Sequence, residues 1–62
     1  MRVRVQQHDA GGYSTDEYDA RNVWVGSQGE LVISGIETAL LAYYAPGVWR
    51  WVKRIDKAGD IA

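Results

Sequence analysis

Cysteine is absent from this 62-residue chain, which excludes disulfide bonds and thiolate metal sites. The chain has a single histidine, and its scattered carboxylates do not complete a metal cage with it. A chain this short buries only roughly 60% of the surface that its unfolded form exposes, and small domains commonly compensate with crosslinks, metal ions or association. Since crosslinks and metal ions are not indicated, we expect association with another chain, most simply as a homodimer.

An excess of one charge and long apolar runs are also lacking. Seven Lys and Arg side chains against eight Asp and Glu give a net charge of −1, which does not favour a generally basic nucleic-acid binder. No apolar run approaches the roughly 20 residues of a membrane span, and the N-terminal alternation lacks the apolar centre of a secretion signal. We therefore expect a cytoplasmic protein without membrane contact. The hydrophobic fraction of 47% favours a folded domain.

Short alternating segments are what the chain does contain. Residues 1–8 alternate apolar with polar side chains, which predicts a half-buried strand with its valines directed inward. The glycine-containing stretch 9–16 predicts a loop. Residues 18–34 predict a hairpin of two strands, joined by a glycine-rich turn at 26–29.

Residues 39–55 are the most aromatic part of the chain and contain its only proline. They predict two apolar strands folded back on each other at Pro46–Gly47, the second of them rich in Val and Trp. We expect the other strands to pack against or connect to this pair.

The segment just before the proline has two interpretations. The apolar spacing of residues 36–45 fits a short amphipathic helix that the proline would end. Alternatively, residues 35–38 form a turn and residues 39–45 a strand that pairs with the one before it. The strand is favoured because the elements on both sides are strands and sequential strands usually pair.

The predicted fold is therefore all-β: a small single-domain antiparallel meander of four to five strands within residues 1–56. A short helix at about 36–45 gives the α+β alternative. Residues 57–62 are predicted to be a frayed tail. The order of the hairpin, the apolar strand and the segment from Tyr44 to Trp49 resembles that of small bacterial or phage β-proteins. That resemblance spans about half of the chain and implies an accessory protein without any particular activity.

Directing the more apolar side of each strand inward brings cationic and aromatic side chains together on the outside. The predicted binding face consists of Arg2, Arg4, Trp24, Arg50 and Arg54. Guanidinium groups and an indole engage single-stranded nucleic acid or an anionic nucleotide through charge and stacking. The same groups are enriched at protein interfaces. In a third interpretation the arginines cover Trp24 in intramolecular cation–π contacts and bind nothing.

Four further aromatic residues are candidates for the core or for an interface, namely Tyr43, Tyr44, Trp49 and Trp51. In a regular strand Trp49 and Trp51 share one face, and the core is the commoner place for such a pair in a small domain. Tyr43 and Tyr44 are adjacent and would face opposite ways. We expect one of them to be buried and the other to be available for a subunit contact.

Catalysis has little support in the sequence. His8, Ser14 and Asp16 have the residue types of a hydrolytic triad, but a nine-residue span through a predicted loop gives no reason to expect the required geometry. Asp16, Glu17 and Asp19 are interpreted as a solvated acidic turn rather than as ligands of a hard cation. An enzyme would need a site shared between subunits, involving His8 and Asp16.

We therefore expect a non-catalytic interaction module of the adaptor or inhibitor type, with no cofactor and no metal ion. It would act through protein–protein contacts and as a homo-oligomer. The alternative is nucleic-acid or anionic nucleotide binding through the Arg/Trp sheet face.

Overall fold

A computed structural model describes residues 1–56, which form six β-strands and no helix. The strands are β1 (Arg2–Asp9), β2 (Gly12–Asp19), β3 (Asn22–Val25), β4 (Leu31–Ser34), β5 (Ala42–Tyr44) and β6 (Trp49–Arg54). They make two antiparallel three-stranded sheets. The order in the first sheet is β2-β1-β6, and the order in the second sheet is β3-β4-β5. The described residues contain no helix, and therefore no helix that is long and apolar enough to cross a membrane.

The first sheet is built on a long hairpin of β1 and β2. The alternating segment forms β1 as predicted, but the predicted loop at 9–16 is wrong, because β2 already begins at Gly12. Only Ala10 and Gly11 connect the two strands, and the pairing runs from Asp9 opposite Gly12 to Arg2 opposite Asp19. Gly12 has a φ of 145°, a conformation that side-chain-bearing residues rarely adopt.

The second sheet is a three-stranded meander. The predicted turn at 26–29 is confirmed: the Gly26 N–H donates to the Glu30 carbonyl at 2.8 Å, and β3 pairs with β4 on either side of it. The helix alternative at about 36–45 is wrong. Residues 35–41 are a loop, closed at its start by a 2.9 Å bond from the Gly35 N–H to the Thr38 carbonyl, and β5 then pairs with β4.

Pro46–Gly47 does form a turn, with the Val48 N–H donating to the Ala45 carbonyl at 3.1 Å. The prediction that this turn closes a hairpin is wrong, because β5 and β6 belong to different sheets. After the turn, β6 pairs with β1 at the opposite end of the sequence. The turn therefore carries the chain from the second sheet to the first.

The hydrophobic core lies between the inner faces of the two sheets. Its buried members are Val3, Val5, Ala20, Leu31, Ile33 and Tyr44. The first sheet contributes the valines of β1, and the second contributes the apolar residues of β4 and β5. Burying a Leu, Ile or Val side chain stabilises a fold by about 1.5–3 kcal/mol, so these residues are a main source of the driving force for folding.

The all-β antiparallel prediction is confirmed, with six strands in place of four or five and with the meander order confined to the second sheet. The predicted frayed tail at 57–62 lies outside the described residues.

Candidate functional site

Residues 1–56 enclose no pocket, and within them no three His, Asp or Glu side chains are placed to share a metal ion. The triad residue types are also separated. His8 pairs with Tyr13 on one face of the first sheet, whereas Ser14 and Asp16 pair with Gln7 and Val5 on the other face. The outer faces of the two sheets are candidate binding surfaces.

The predicted Arg/Trp face is divided between the two sheets. Arg2 and Arg4 lie on the outer face of the first sheet, because they alternate with the buried Val3 and Val5. Arg50 joins them from β6. Trp24 lies on β3 in the second sheet, so the fold does not bring it to these arginines.

The arginines near the start of β1 are paired with a carboxylate on the neighbouring strand. Arg4 Nη2 lies 2.9 Å from Glu17 Oε2 and its Nε donates to the same oxygen at 3.0 Å, while Arg2 Nη2 lies 3.6 Å from Glu17 Oε1. Arg54, at the end of β6, donates to Asp56 at 2.6 Å. That hydrogen bond from Arg54 holds the pKa of Asp56 below its usual range. These exposed pairs neutralise charge at this end of the sheet.

A β-bulge in β6 rearranges the other end of the first sheet. Gln6 pairs with Trp51 and the next residue, Gln7, pairs with Trp49, so Arg50 is the extra residue. A bulge places two residues opposite one and interrupts the alternation of side chains. Trp49 and Trp51, which share a face in a regular strand, are therefore on opposite faces here.

Arg50 and Trp51 both point to the outer face as a result. Arg50 Nη1 donates to the Gln6 side-chain oxygen at 2.8 Å, and its guanidinium carbon lies 4.3 Å from the centre of the Tyr13 ring. The Lys53 ammonium lies 5.0 Å from the centre of the Trp51 ring. Both cation–π contacts thus lie on this outer face.

The other aromatic candidates are divided between the core and the surface. Trp49 is half-buried, packs against the core, and donates from Nε1 to the Gly29 carbonyl at 3.0 Å. Tyr44 is 6% exposed and points between the sheets, whereas its neighbour Tyr43 is 56% exposed on the outside. Trp49 and Tyr44 therefore connect the two sheets, and Tyr43 faces solvent.

A network of polar side chains also joins the two sheets. The Tyr44 hydroxyl donates to Asp16 Oδ2 at 2.8 Å and accepts a 2.6 Å hydrogen bond from the Tyr18 hydroxyl. Gln7 Nε2 donates to the same Asp16 oxygen at 2.6 Å. Burial, followed by the hydrogen bonds with Tyr18 and Asp16, raises the pKa of Tyr44 far above its ordinary value. The network fixes β5 against β2 and occupies the polar atoms that face the interior.

The outer face of the second sheet carries an apolar row. Trp24, Val32 and Tyr43 form one row across its three strands, and Trp24 is 48% exposed. Leu41, placed next to β5 by a hydrogen bond from its N–H to the Ile33 carbonyl, is exposed, as are Ile36 and Leu40 in the loop before it. We call Trp24, Val32, Leu41 and Tyr43, with the loop residues Ile36 and Leu40, the apolar face.

Charge is absent from all three strands that carry this face. The residues of β3, β4 and β5 include no Asp, Glu, Lys or Arg, and residues 22–49 contain no Lys or Arg at all. Sequence reasoning grouped Trp24 with the arginines and left Val32, Leu41 and the loop residues out. The long interval without a basic residue is the signal that separates the two surfaces.

Comparisons with protein-family models, with curated proteins and with solved structures found no match to this chain.

Proposed function

We propose that this chain is a non-catalytic interaction module that acts through protein–protein contacts made by the apolar face, and that one of these contacts is with a second copy of itself. The observation that carries the proposal is the row in which exposed Trp24 and Tyr43 flank half-buried Val32, on strands that hold no charged residue. Monomeric proteins seldom expose contiguous apolar surface without an interaction to cover it.

The absence of charge favours a second copy as an occupant. In a two-fold symmetric dimer the same patch meets itself, so a charged patch would be repelled by its own image. The row of Trp24, Val32 and Tyr43, on strands without charge, meets itself without that penalty. Aromatic side chains such as Trp24 and Tyr43 are the residues that most often anchor protein interfaces.

The small core points in the same direction. None of the three tryptophans is buried in the single copy, and the largest fully buried side chains are Leu31, Ile33 and Val5. Covering the apolar face would add large aromatic side chains to the buried set, which is how small domains without crosslinks commonly gain stability.

The test is the solution mass measured by light scattering during gel filtration, over a range of protein concentrations. We expect the wild type to approach twice the chain mass of 6.9 kDa, and Tyr43→Lys to return it to the mass of one chain. Tyr13→Lys is the matched control, since Tyr13 has nearly the same exposure, 55%, but lies on the first sheet. A wild type with the mass of one chain at every concentration would refute self-association.

A further inference from the structure

The outer face of the first sheet carries a second surface, which runs along β6 from the bulge at Arg50 to Lys53, opposite Arg4. Its members are Tyr13, Arg50, Trp51 and Lys53, and we call them the aromatic–cation platform. Tyr13 comes from β2 and the other three from β6. The bulge at Arg50 puts the guanidinium and the Trp51 indole on the same side of the sheet.

The two cations of the platform keep their charge available. Within residues 1–56 no carboxylate lies within salt-bridge distance of Arg50 or Lys53. Two carboxylates of β2 share this outer face: Glu17 is engaged with Arg2 and Arg4, and Asp19, opposite Arg2, lies 3.9 Å from the N-terminal amine. Asp9 is at this end of the hairpin, but it alternates to the other face and accepts from the Ala10 N–H at 2.7 Å. The platform is therefore locally positive on a chain whose net charge is −1.

The platform holds Arg50 in place and leaves Lys53 able to move. Arg50 is fixed by its hydrogen bond to Gln6 and by the Tyr13 ring beneath it, which leaves its remaining N–H groups to donate outward. Lys53 lies over Trp51 on a flexible stem, so its ammonium can move aside and expose the indole. Trp51 is on an edge strand, where a ligand can approach it from the side as well as from above.

We propose that the aromatic–cation platform binds single-stranded nucleic acid. Trp51 would stack on a base, Arg50 and Lys53 would bind the adjacent phosphates, and Tyr13 would position Arg50. An indole beside cations fits a ligand that has both a flat aromatic group and a phosphate, whereas an acidic peptide would use the cations alone. The platform is on the opposite sheet from the apolar face, so nucleic-acid binding by the platform can be tested independently of the proposed self-association.

The test is fluorescence anisotropy of a labelled oligodeoxythymidine, titrated with the purified protein at several salt concentrations. We expect binding at low salt that weakens linearly on a logarithmic scale as salt rises. Arg50→Ala and Lys53→Ala should each weaken binding and reduce the salt slope by about 0.7, the value for one phosphate contact on a single strand. Trp51→Ala should weaken binding by about 5- to 150-fold without changing the slope, and Trp51→Phe should restore part of the loss.

Arg21→Ala is the matched control, because Arg21 is an exposed cation in the link between the sheets, and its removal should leave the affinity unchanged. Far-ultraviolet circular dichroism checks that each variant is folded. If Trp51→Ala does not fold, the Arg50 and Lys53 variants test whether the platform binds the oligonucleotide. Three results would overturn the proposal. The first is no binding of the oligonucleotide at low salt, and the second is tighter binding of polyglutamate than of the oligonucleotide. The third is an unchanged affinity of Trp51→Ala together with inorganic polyphosphate competing for the protein as well as unlabelled oligonucleotide does.

Discussion

The two sheets have the same number of strands, but their outer faces differ in charge. The first has strands of eight, eight and six residues, and its outer face carries Arg2, Arg4, Glu17, Arg50 and Lys53. The second has strands of four, four and three residues without a charged side chain. Both bury an apolar inner face against the other. The difference therefore concerns what each outer face can meet: water and charged ligands in one case, and apolar protein surface in the other.

The largest effect on stability is expected when the inner face of the second sheet is compared with its outer face. Ile33 is fully buried, and its neighbour Val32 belongs to the apolar face. Ile33→Ala should lower the free energy of unfolding by about 2–5 kcal/mol, enough to unfold a small domain. Val32→Ala should cost about 1 kcal/mol or less. Urea denaturation of both variants measures this, and equal losses would mean that the sheet is not packed as described.

A smaller loss of stability is expected when the polar network that joins the sheets is disrupted. Tyr44→Phe removes a hydroxyl that donates to Asp16 and accepts from Tyr18, leaving two interior polar groups without that partner. We expect a loss of about 1–3 kcal/mol in the free energy of unfolding. Tyr43→Phe, the matched change on the outer face, should have little effect. If the two variants are equally stable, the network does not hold the sheets together.

The same hydroxyl predicts how stability depends on alkaline pH. Its pKa in the folded chain is raised above the ordinary value of 10.0 by burial and by its hydrogen bonds. Above about pH 10 the unfolded chain loses this proton and the folded chain keeps it, so the stability present below pH 10 falls as pH rises. The slope contributed is at most about 1.4 kcal/mol per pH unit. Denaturation of wild type and Tyr44→Phe between pH 8 and about 11 measures it, and parallel pH profiles would contradict the assignment.

The smallest expected effect concerns the charged end of the first sheet. Asp56 accepts from the Arg2 N–H at 3.0 Å and from Arg54 at 2.6 Å, and the latter bond lowers its pKa below 3.8. Its stabilising contribution is present above that pH and is lost as pH falls through the lowered pKa. Asp56→Ala should chiefly accelerate hydrogen exchange of the Arg2 amide, with Glu37→Gln in the exposed loop as the control. Unchanged exchange would show that this contact does not fix the end of the sheet.

Local patterns predicted much of this fold. The alternation of residues 1–8 identified β1, and the glycines at 26–29 identified the turn between β3 and β4. Strand β2 escaped prediction because Gly12–Asp19 is mostly polar. It is held by pairing with β1 and by Tyr18 and Asp16, which reach into the interior network.

Long-range pairing and one inserted residue account for the errors in the predicted site. Nothing near Pro46–Gly47 indicates that β6 pairs with β1 rather than with β5, since that choice depends on residues some 45 positions away. The bulge at Arg50 is equally invisible in composition, yet it moves Trp51 from the expected core to the outer face. As a result, Trp51 rather than Trp24 lies with the arginine of β6.

We propose that in solution a second copy of the chain covers the apolar face of the second sheet and leaves the outer face of the first sheet uncovered. Amide and indole shifts in two-dimensional NMR spectra, recorded on dilution through the concentration range where the mass changes, test it residue by residue. We expect changes at Trp24, Val32 and Tyr43, and none at Tyr13 or Trp51. Changes concentrated at Tyr13 and Trp51, with Trp24 and Tyr43 unmoved, would contradict it.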